Sequence, residues 1–253
     1  MLKKRLIARL DIRSPNLIKT RNLEGVRIVG SPQEYATKYN DEGIDEILFL
    51  DVVASLYGRN SLSGLVSRTV ENVFCPVTVG GGIRTLSDAR ALFLSGADKI
   101  AVNTEATHRP EFITELAQKF GSQAVVLQLD AKRTNGCWEA WREGGREPTG
   151  FDAVQWAVGA SGMGAGEILI TSIDKEGMCV GYDVDLISEI ASRVTIPVVA
   201  SGGMGTLEHT IQAIEAGAEA VAAAHVLHYG VLGIKEIKAS LQSHGIPVRN
   251  ESH

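Results

Sequence analysis

Long apolar runs are missing from this chain of 253 residues: none approaches 18, which excludes a membrane-spanning helix. Cysteine is scarce. Cys75, Cys137 and Cys179 are widely spaced and form no C-x-x-C pair, so neither a disulfide framework nor a zinc site is expected. The 6 histidines contain no H-E-x-x-H, and their one close pair, His225 and His228, is too little for a metal site. No metal and no cofactor is expected. Excess positive charge is absent too: 25 Lys and Arg stand against 30 Asp and Glu. A net charge of −5 argues against bulk nucleic-acid binding and leaves room for a local anion site. Aromatics are few, at 6%, while glycines number 27; that balance favours many tight turns over an all-β sandwich. The opening MLKKR leads into an alternating run ending on Asp11, unlike a secretory leader with its apolar stretch and small-residue cleavage site. A reducing cytoplasm is the expected compartment.

What the chain does have is regular alternation. Short apolar runs near 5–11, 46–51, 76–80, 98–103, 123–130, 167–172, 196–201 and 219–224 read as strands, several of them continuously apolar, as strands buried on both faces should be. Helical patterns fall near 32–42, 61–72, 85–95, 109–120, 152–163, 184–194, 206–216 and 232–243. Ser31-Pro32-Gln33-Glu34 has the form of a capping box with proline at the first helical position. The stretches 12–31 and 131–151 are long for strand-to-helix connections and read as loops of the functional or mobile kind.

The chain also repeats itself. VGGGIRTLSDARALFLSGADKI (79–100) aligns without gaps on ASGGMGTLEHTIQAIEAGAEAV (200–221), an offset of 121, with matches that include Gly81/Gly202, Gly82/Gly203 and Thr85/Thr206. At the same offset GIDEILFLD (43–51) lies on GAGEILITS (164–172). This period is too long for a solenoid unit. Eight βα units with an internal half repeat point instead to an α/β fold, a (β/α)8 TIM barrel forming a single domain over 1–253, with half-repeats at about 1–120 and 121–245. A doubly wound open sheet has no reason to duplicate in halves.

Active sites of such barrels lie at the C-terminal ends of the strands. Asp11 and Asp130 stand there on strands 1 and 5, on opposite sides of the ring. Two carboxylates facing each other suit general acid–base work. A lone strand-end aspartate more simply caps the following turn; its occurrence at equivalent points of both halves argues for chemistry. Gly80-Gly81-Gly82 and Ser201-Gly202-Gly203 each end a strand just before a helix. Backbone N–H groups and helix N-termini in that setting form phosphate cradles, although glycine there also serves steric need alone. A duplicated pair suits a ligand with a phosphate at each end. Asn103 and Thr104 are placed to complete the first cradle, Gly177 and the end of the last strand the second. At the opposite ends of the strands, Arg5, Glu46, Lys99 and Glu167 fall at or near strand starts. Facing water would explain them, but strand parity places Arg5 and Arg9 on the interior face with Asp11, and Lys99 with Asn103, so four charges ring the barrel floor.

These residues carry a resemblance. TVGGGIR, GADKIAVNT, FGSQAVV with LDAKR, GAGEILITSID, GYD and ASGG resemble the family of the cyclase subunit (HisF) of imidazole glycerol phosphate synthase, over essentially the whole chain. The resemblance implies that Asp11 and Asp130 are the catalytic pair and that Lys19 is the lysine of a flexible loop over the substrate. It also implies that Gly81, Gly82, Asn103, Thr104, Thr171, Gly177, Ser201, Gly202 and Gly203 hold substrate and its phosphates. Arg5, Glu46, Lys99 and Glu167 would form a gate for ammonia supplied by a glutaminase (HisH-like) partner, with Asp98 at that interface. The implied reaction turns a ribulosyl-aminoimidazole dinucleotide-type substrate and ammonia into imidazole glycerol phosphate and an aminoimidazole carboxamide ribotide.

The chain departs from the family pattern at three places. Arg9 replaces a small thiol residue, Glu176-Gly177-Met178 replaces D-G-T, and His225 replaces a serine of the second phosphate site. NLEGVR (22–27) and ASLYGRNSL (54–62) resemble a HisF-like paralogue from bacterial surface-polysaccharide loci, which implies ammonia supply for amidation of a sugar carboxylate. Three readings follow: the histidine-pathway cyclase, the sugar-amidation conduit, and a non-catalytic activator of the glutaminase. A buried Arg9 needs an interior carboxylate or an anion, and Asp11 is its nearest candidate. An anion is expected at the first glycine turn, a weaker one or none at the second, where Met178 and His225 replace smaller polar groups. Trp138 and Trp141 are expected to pack a local hairpin.

Overall fold

Eight parallel strands close on themselves in the computed structural model, which describes residues 2–54 and 62–249. The strands are β1 (Arg5–Arg13), β4 (Glu46–Asp51), β5 (Val77–Gly80), β6 (Lys99–Val102), β7 (Val125–Thr134), β10 (Glu167–Ser172), β11 (Val198–Ser201) and β12 (Ala220–Ala223). Each pairs with the next, and β12 returns to β1 with Arg5 opposite Ala220 and Ala8 opposite Ala223. The halves join where β7 meets β10, with Asp130 opposite Thr171. This closed ring with helices between its strands is a (β/α)8 barrel. All eight expected strands are present, two of them (46–51 and 167–172) with the expected bounds.

Side-chain parity sorts the strands into two cores. Leu6, Ala8, Leu10, Ile47, Phe49, Val77 and Val79 face outward into the layer shared with the helices. Ile7, Leu48, Val126, Leu169 and Val199 face inward and form a separate apolar belt inside the barrel. Arg5, Glu46, Lys99 and Glu167 lie below this belt, at the strand starts. Arg9, Asp11, Asp130, Thr171 and Ser201 lie above it, at the strand ends. The interior is thus stacked as charge, hydrocarbon and charge.

The two stretches read as long loops are hairpins instead. β1 turns back into β2 (Asn16–Arg21), which pairs with β3 (Glu24–Gly30). β7 likewise turns into β8 (Cys137–Arg142) and β9 (Glu147–Asp152). The turns obey the 121-residue offset: Asn22 and Leu23 (φ 49° and 61°) answer Glu143 and Gly144 (φ 53° and 63°). Asn135-Gly136, with φ 52° and 87°, is the standard two-residue hairpin signal, and the reading of 131–151 as a loop overlooked it. Trp138 and Trp141 do sit in this hairpin, as expected. Short helices at Thr104–His108 and His225–His228 were not foreseen. Ser31 accepts a hydrogen bond from the Glu34 N–H, capping the helix Pro32–Asp41. Of the ASLYGRNSL stretch, residues 55–61 lie outside the described residues.

Candidate active site

The lower interior is occupied by a closed ion-pair ring. Arg5 bonds Glu46 (2.7 Å) and Glu167, and Lys99 bonds Glu46 (2.9 Å) and Glu167 (2.7 Å). Signs alternate, so every charge has two opposite neighbours. Thr78, on β5, adds a 2.5 Å hydrogen bond to Glu46. Burial opposes the charge of Glu167, yet Lys99 and Arg5 outweigh it and hold the carboxyl below its usual range. Asp98 lies apart from the ring, exposed on the same end, where its carboxylate accepts the Val77 N–H at 2.8 Å.

At the upper end Arg9 dominates. Only 2% exposed, it reaches across the axis from β1. Nε donates to Asp11 Oδ1 at 2.8 Å, and Nη1 donates to Thr171 Oγ1 and Ser201 Oγ, both at 2.9 Å. The expected carboxylate partner is therefore Asp11. Burial works against the guanidinium charge, and the carboxylates of Asp11, Glu176 and Asp130 reverse the balance, so its pKa rises. Two consequences follow for the expected site. Thr171 and Ser201 are bound to Arg9 instead of being presented to a ligand. Asp11 is covered, and its second oxygen, Oδ2, is buried with no hydrogen-bond partner.

Asp130 is in a different situation. It lines an open cleft of about 1050 Å³. Asn103 donates to its Oδ2 at 3.0 Å, and Gln128 reaches both oxygens at 3.4–3.5 Å. Burial pushes its pKa up to about 6 against the lowering effects of Arg9, Gln128 and Asn103. Gln128 is two residues from Asp130 on one strand and shares its face; parity alone would have found it, and the sequence reading missed it.

The same cleft is lined by Gly81, Gly82, Asn103 and Thr104, the four residues of the expected first phosphate site. Gly81 has φ 101°, and a Cβ there would overlap the Asp51 carbonyl, so only glycine fits. The long helix that follows contributes less than expected. Asp88 Oδ2 already accepts the N–H groups of Arg84 and Thr85 in a capping box. His209 Nδ1 does the same for Gly205 and Thr206 in the other half. Donors for an anion must come from the glycine turn and from side chains. Arg84, Arg146 and His108 line this cleft; Arg146 enters from the β8–β9 turn and was not foreseen.

The second expected site is a smaller pocket of about 280 Å³, lined by Arg9, Lys19, Glu176, Gly177, Ser201, Gly202, Gly203 and His225, among others. Lys19 differs from its expected role on a flexible loop. It lies in β2, 5% exposed, and forms an ion pair with Glu176 from the other half of the barrel. Asn22 fastens the β2–β3 turn nearby: its side chain donates to the carbonyls of Ile173 (2.9 Å) and Asp174 (3.2 Å), and its N–H to Glu176 O (2.8 Å). Hydrogen bonds from Asn22 and the Lys19–Glu176 ion pair close this hairpin down over the mouth, which is why its lysine is buried. No group of His, Cys, Asp and Glu able to hold a metal ion occurs among the described residues.

The family described as "Histidine biosynthesis protein" matches residues 5–233. A protein of Legionella pneumophila named "Imidazole glycerol phosphate synthase subunit HisF" is 58% identical over 205 residues, covering 81% of this chain and 97% of its own. A protein of the same name from Thermococcus gammatolerans is 47% identical over 249 residues, covering 98% of this chain and 99% of its own.

Proposed function

The chain belongs to the histidine biosynthesis protein family, and on that premise we propose that it is the cyclase subunit of an imidazole glycerol phosphate synthase. It joins ammonia to a ribulosyl-aminoimidazole dinucleotide-type substrate and releases imidazole glycerol phosphate and an aminoimidazole carboxamide ribotide. The observation that carries the reading is Asp130: a buried carboxyl held near pKa 6, on a cleft that also contains the Gly81-Gly82 turn. A group with that pKa both gives and takes protons at neutral pH. The glycine turn, with Arg84 and Arg146, suits a phosphate at a fixed distance from it. Asp11 is the second member of the pair, and Arg9 fixes its orientation. The partner is a glutaminase subunit docked at the end where Asp98 lies. Ammonia released there passes the Arg5–Glu46–Lys99–Glu167 ring and follows the apolar belt of Ile7, Leu48, Val126, Leu169 and Val199 to the mouth. A belt without polar groups gives neutral ammonia no binding stop and disfavours ammonium.

Arg9 favours a second reading. It covers Asp11 and occupies the hydroxyls of Thr171 and Ser201, which suits a barrel that delivers ammonia for amidation of a surface-polysaccharide sugar. One assay separates the two: turnover of the histidine-pathway nucleotide by the purified chain, with ammonium salt and no partner. Measurable cyclisation, reduced about 10²–10⁴-fold in Asp130→Asn, supports the cyclase. No turnover by correctly folded protein rules out the cyclase and transfers the assignment to the conduit or to a non-catalytic activator of the glutaminase.

A further inference from the structure

The two glycine turns are related by the internal repeat, yet their surroundings differ in one respect. The first turn opens on a cleft. At the second turn an anion is already present, and it belongs to the protein. Glu176 is 3% exposed, and its Oε2 lies 3.0 Å from where a Cβ on Gly202 would stand. Its other oxygen is bound to Lys19 Nζ. Lys19 is itself buried, and it also donates to the Thr20 carbonyl, at 3.1 Å. On the remaining side Arg9 lines the same pocket, and its charge is stabilised by Glu176. A glycine turn, an ammonium and a guanidinium are the components of a phosphate site, and the Glu176 carboxylate lies among all three, bonded to the ammonium.

We propose that Glu176 is a specificity-determining residue that fills the second glycine turn with the protein's own carboxylate, so that a phosphate binds there only in exchange for it. The inference rests on the reading of the glycine turns as phosphate sites. Its physical basis is charge exclusion. A phosphate and a carboxylate cannot readily share a small pocket whose charged lining, Arg9, Lys19 and Glu176, is buried, because like charges at that separation repel strongly where water screens them little. Lys19 cannot neutralise both. The backbone of Glu176 is anchored through Ser172 (3.0 Å) and Asn22 (2.8 Å), so exchange requires its side chain to rotate out and Lys19 to change partner. At the first turn the atoms nearest a Cβ on Gly81 are the carbonyl and Cβ of Asp51, none of them a carboxylate oxygen, and on that ground this turn is expected to bind phosphate without rearrangement. A ligand with a phosphate at each end would therefore engage the Gly81-Gly82 end first. The departures at Met178 and His225 are not needed to explain the asymmetry: Met178 is 38% exposed, and the carboxylate suffices.

The test is calorimetric titration of the full chain with inorganic phosphate at neutral pH, beside Glu176→Gln, which keeps the shape and removes the charge. The native chain is expected to take up one equivalent. The variant should take up two, with phosphate affinity at the second turn raised at least tenfold. Two equivalents of similar affinity on the native chain, or no second equivalent on a folded variant, overturns the proposal. No binding by either protein overturns the reading of the first turn as well, so the two failures are distinct. A native crystal soaked in phosphate gives an answer without any variant. Phosphate at Gly81-Gly82, with Glu176 still on Lys19, supports the inference; phosphate on Gly202-Gly203 beside an undisplaced Glu176 refutes it.

Discussion

Arg9 carries a permanent charge into a place shielded from water, and the fold tolerates it because Asp11 lies one turn of the strand's alternation away. Breaking a buried pair from one side costs about 3–5 kcal/mol, since the survivor is left uncompensated. Arg9→Met is therefore expected to lose about that much in urea unfolding, and Arg9→Met/Asp11→Asn to recover most of it. Equal losses in the presence and absence of the Asp11 charge would show that the pair is not what holds Arg9. Asp130 leads to a pH-dependent expectation with the opposite sign from an ordinary paired carboxylate. Its folded pKa, pushed up to about 6 by burial, lies above the ordinary aspartate value of 3.8. The native state thus binds the proton more tightly, and stability falls as pH rises from about 4 through 6. Asp130→Asn should be more stable than the native chain at pH 7 by about 1–3 kcal/mol, with the difference vanishing near pH 4. Constant stability of the pair of proteins across that range would contradict the shift. Both aspartates were legible in the sequence as repeated strand ends. The Lys19–Glu176 pair was not, because its members are 157 residues apart and only barrel closure brings them together.

Among the elements, barrel strands were the most legible. EILFLD and EILITS are apolar on both faces because both faces are buried. The short helices after β6 and β12 span only 5 and 4 residues, too few to establish a helical period. The β2–β3 hairpin was hidden for another reason. Its turn, Asn22-Leu23, places a leucine at φ 61°, a conformation leucine does not prefer, so no local signal announces it. Tertiary contacts from Asn22 hold it. Asn22→Ala removes the two side-chain bonds and is expected to raise hydrogen exchange and protease cleavage within 16–30 about tenfold, corresponding to roughly 1–2 kcal/mol. Unchanged protection would mean that the hairpin is held by Lys19 and Glu176 alone.

For the molecule as a whole, the barrel is secured from below by its two ends. The Lys4 N–H donates to Pro247 O at 2.7 Å. Lys238, on the helix Ile234–Ser243, clamps Asp45 (2.6 Å), Gly43 O (2.7 Å) and Arg249 O (3.1 Å). Asp45 is 3% exposed and also accepts the Leu6 N–H, so it ties the last helix to the first strand. Lys238→Met should lower the melting temperature by roughly 6–12 °C, and Lys238→Met/Asp45→Asn by less. A change below 2 °C in a calorimetric scan would show that closure does not depend on this clamp.

The two hairpins above have a mechanical consequence. Asp11 stands opposite Ile18 on β2, and Asp130 stands opposite Trp141 on β8. Each carboxylate therefore sits at the fulcrum of a lever: the barrel strand is the fixed arm, the hairpin the free one. Pulling the β2–β3 or β8–β9 turn away from the mouth opens the β1–β2 or β7–β8 ladder from its open end, and the first rungs to give are those beside the aspartates. Torque on Asn22 or on the β8–β9 turn is thus transmitted to the backbone of a proposed catalytic carboxylate, while the barrel wall beneath, paired on both sides, does not bend.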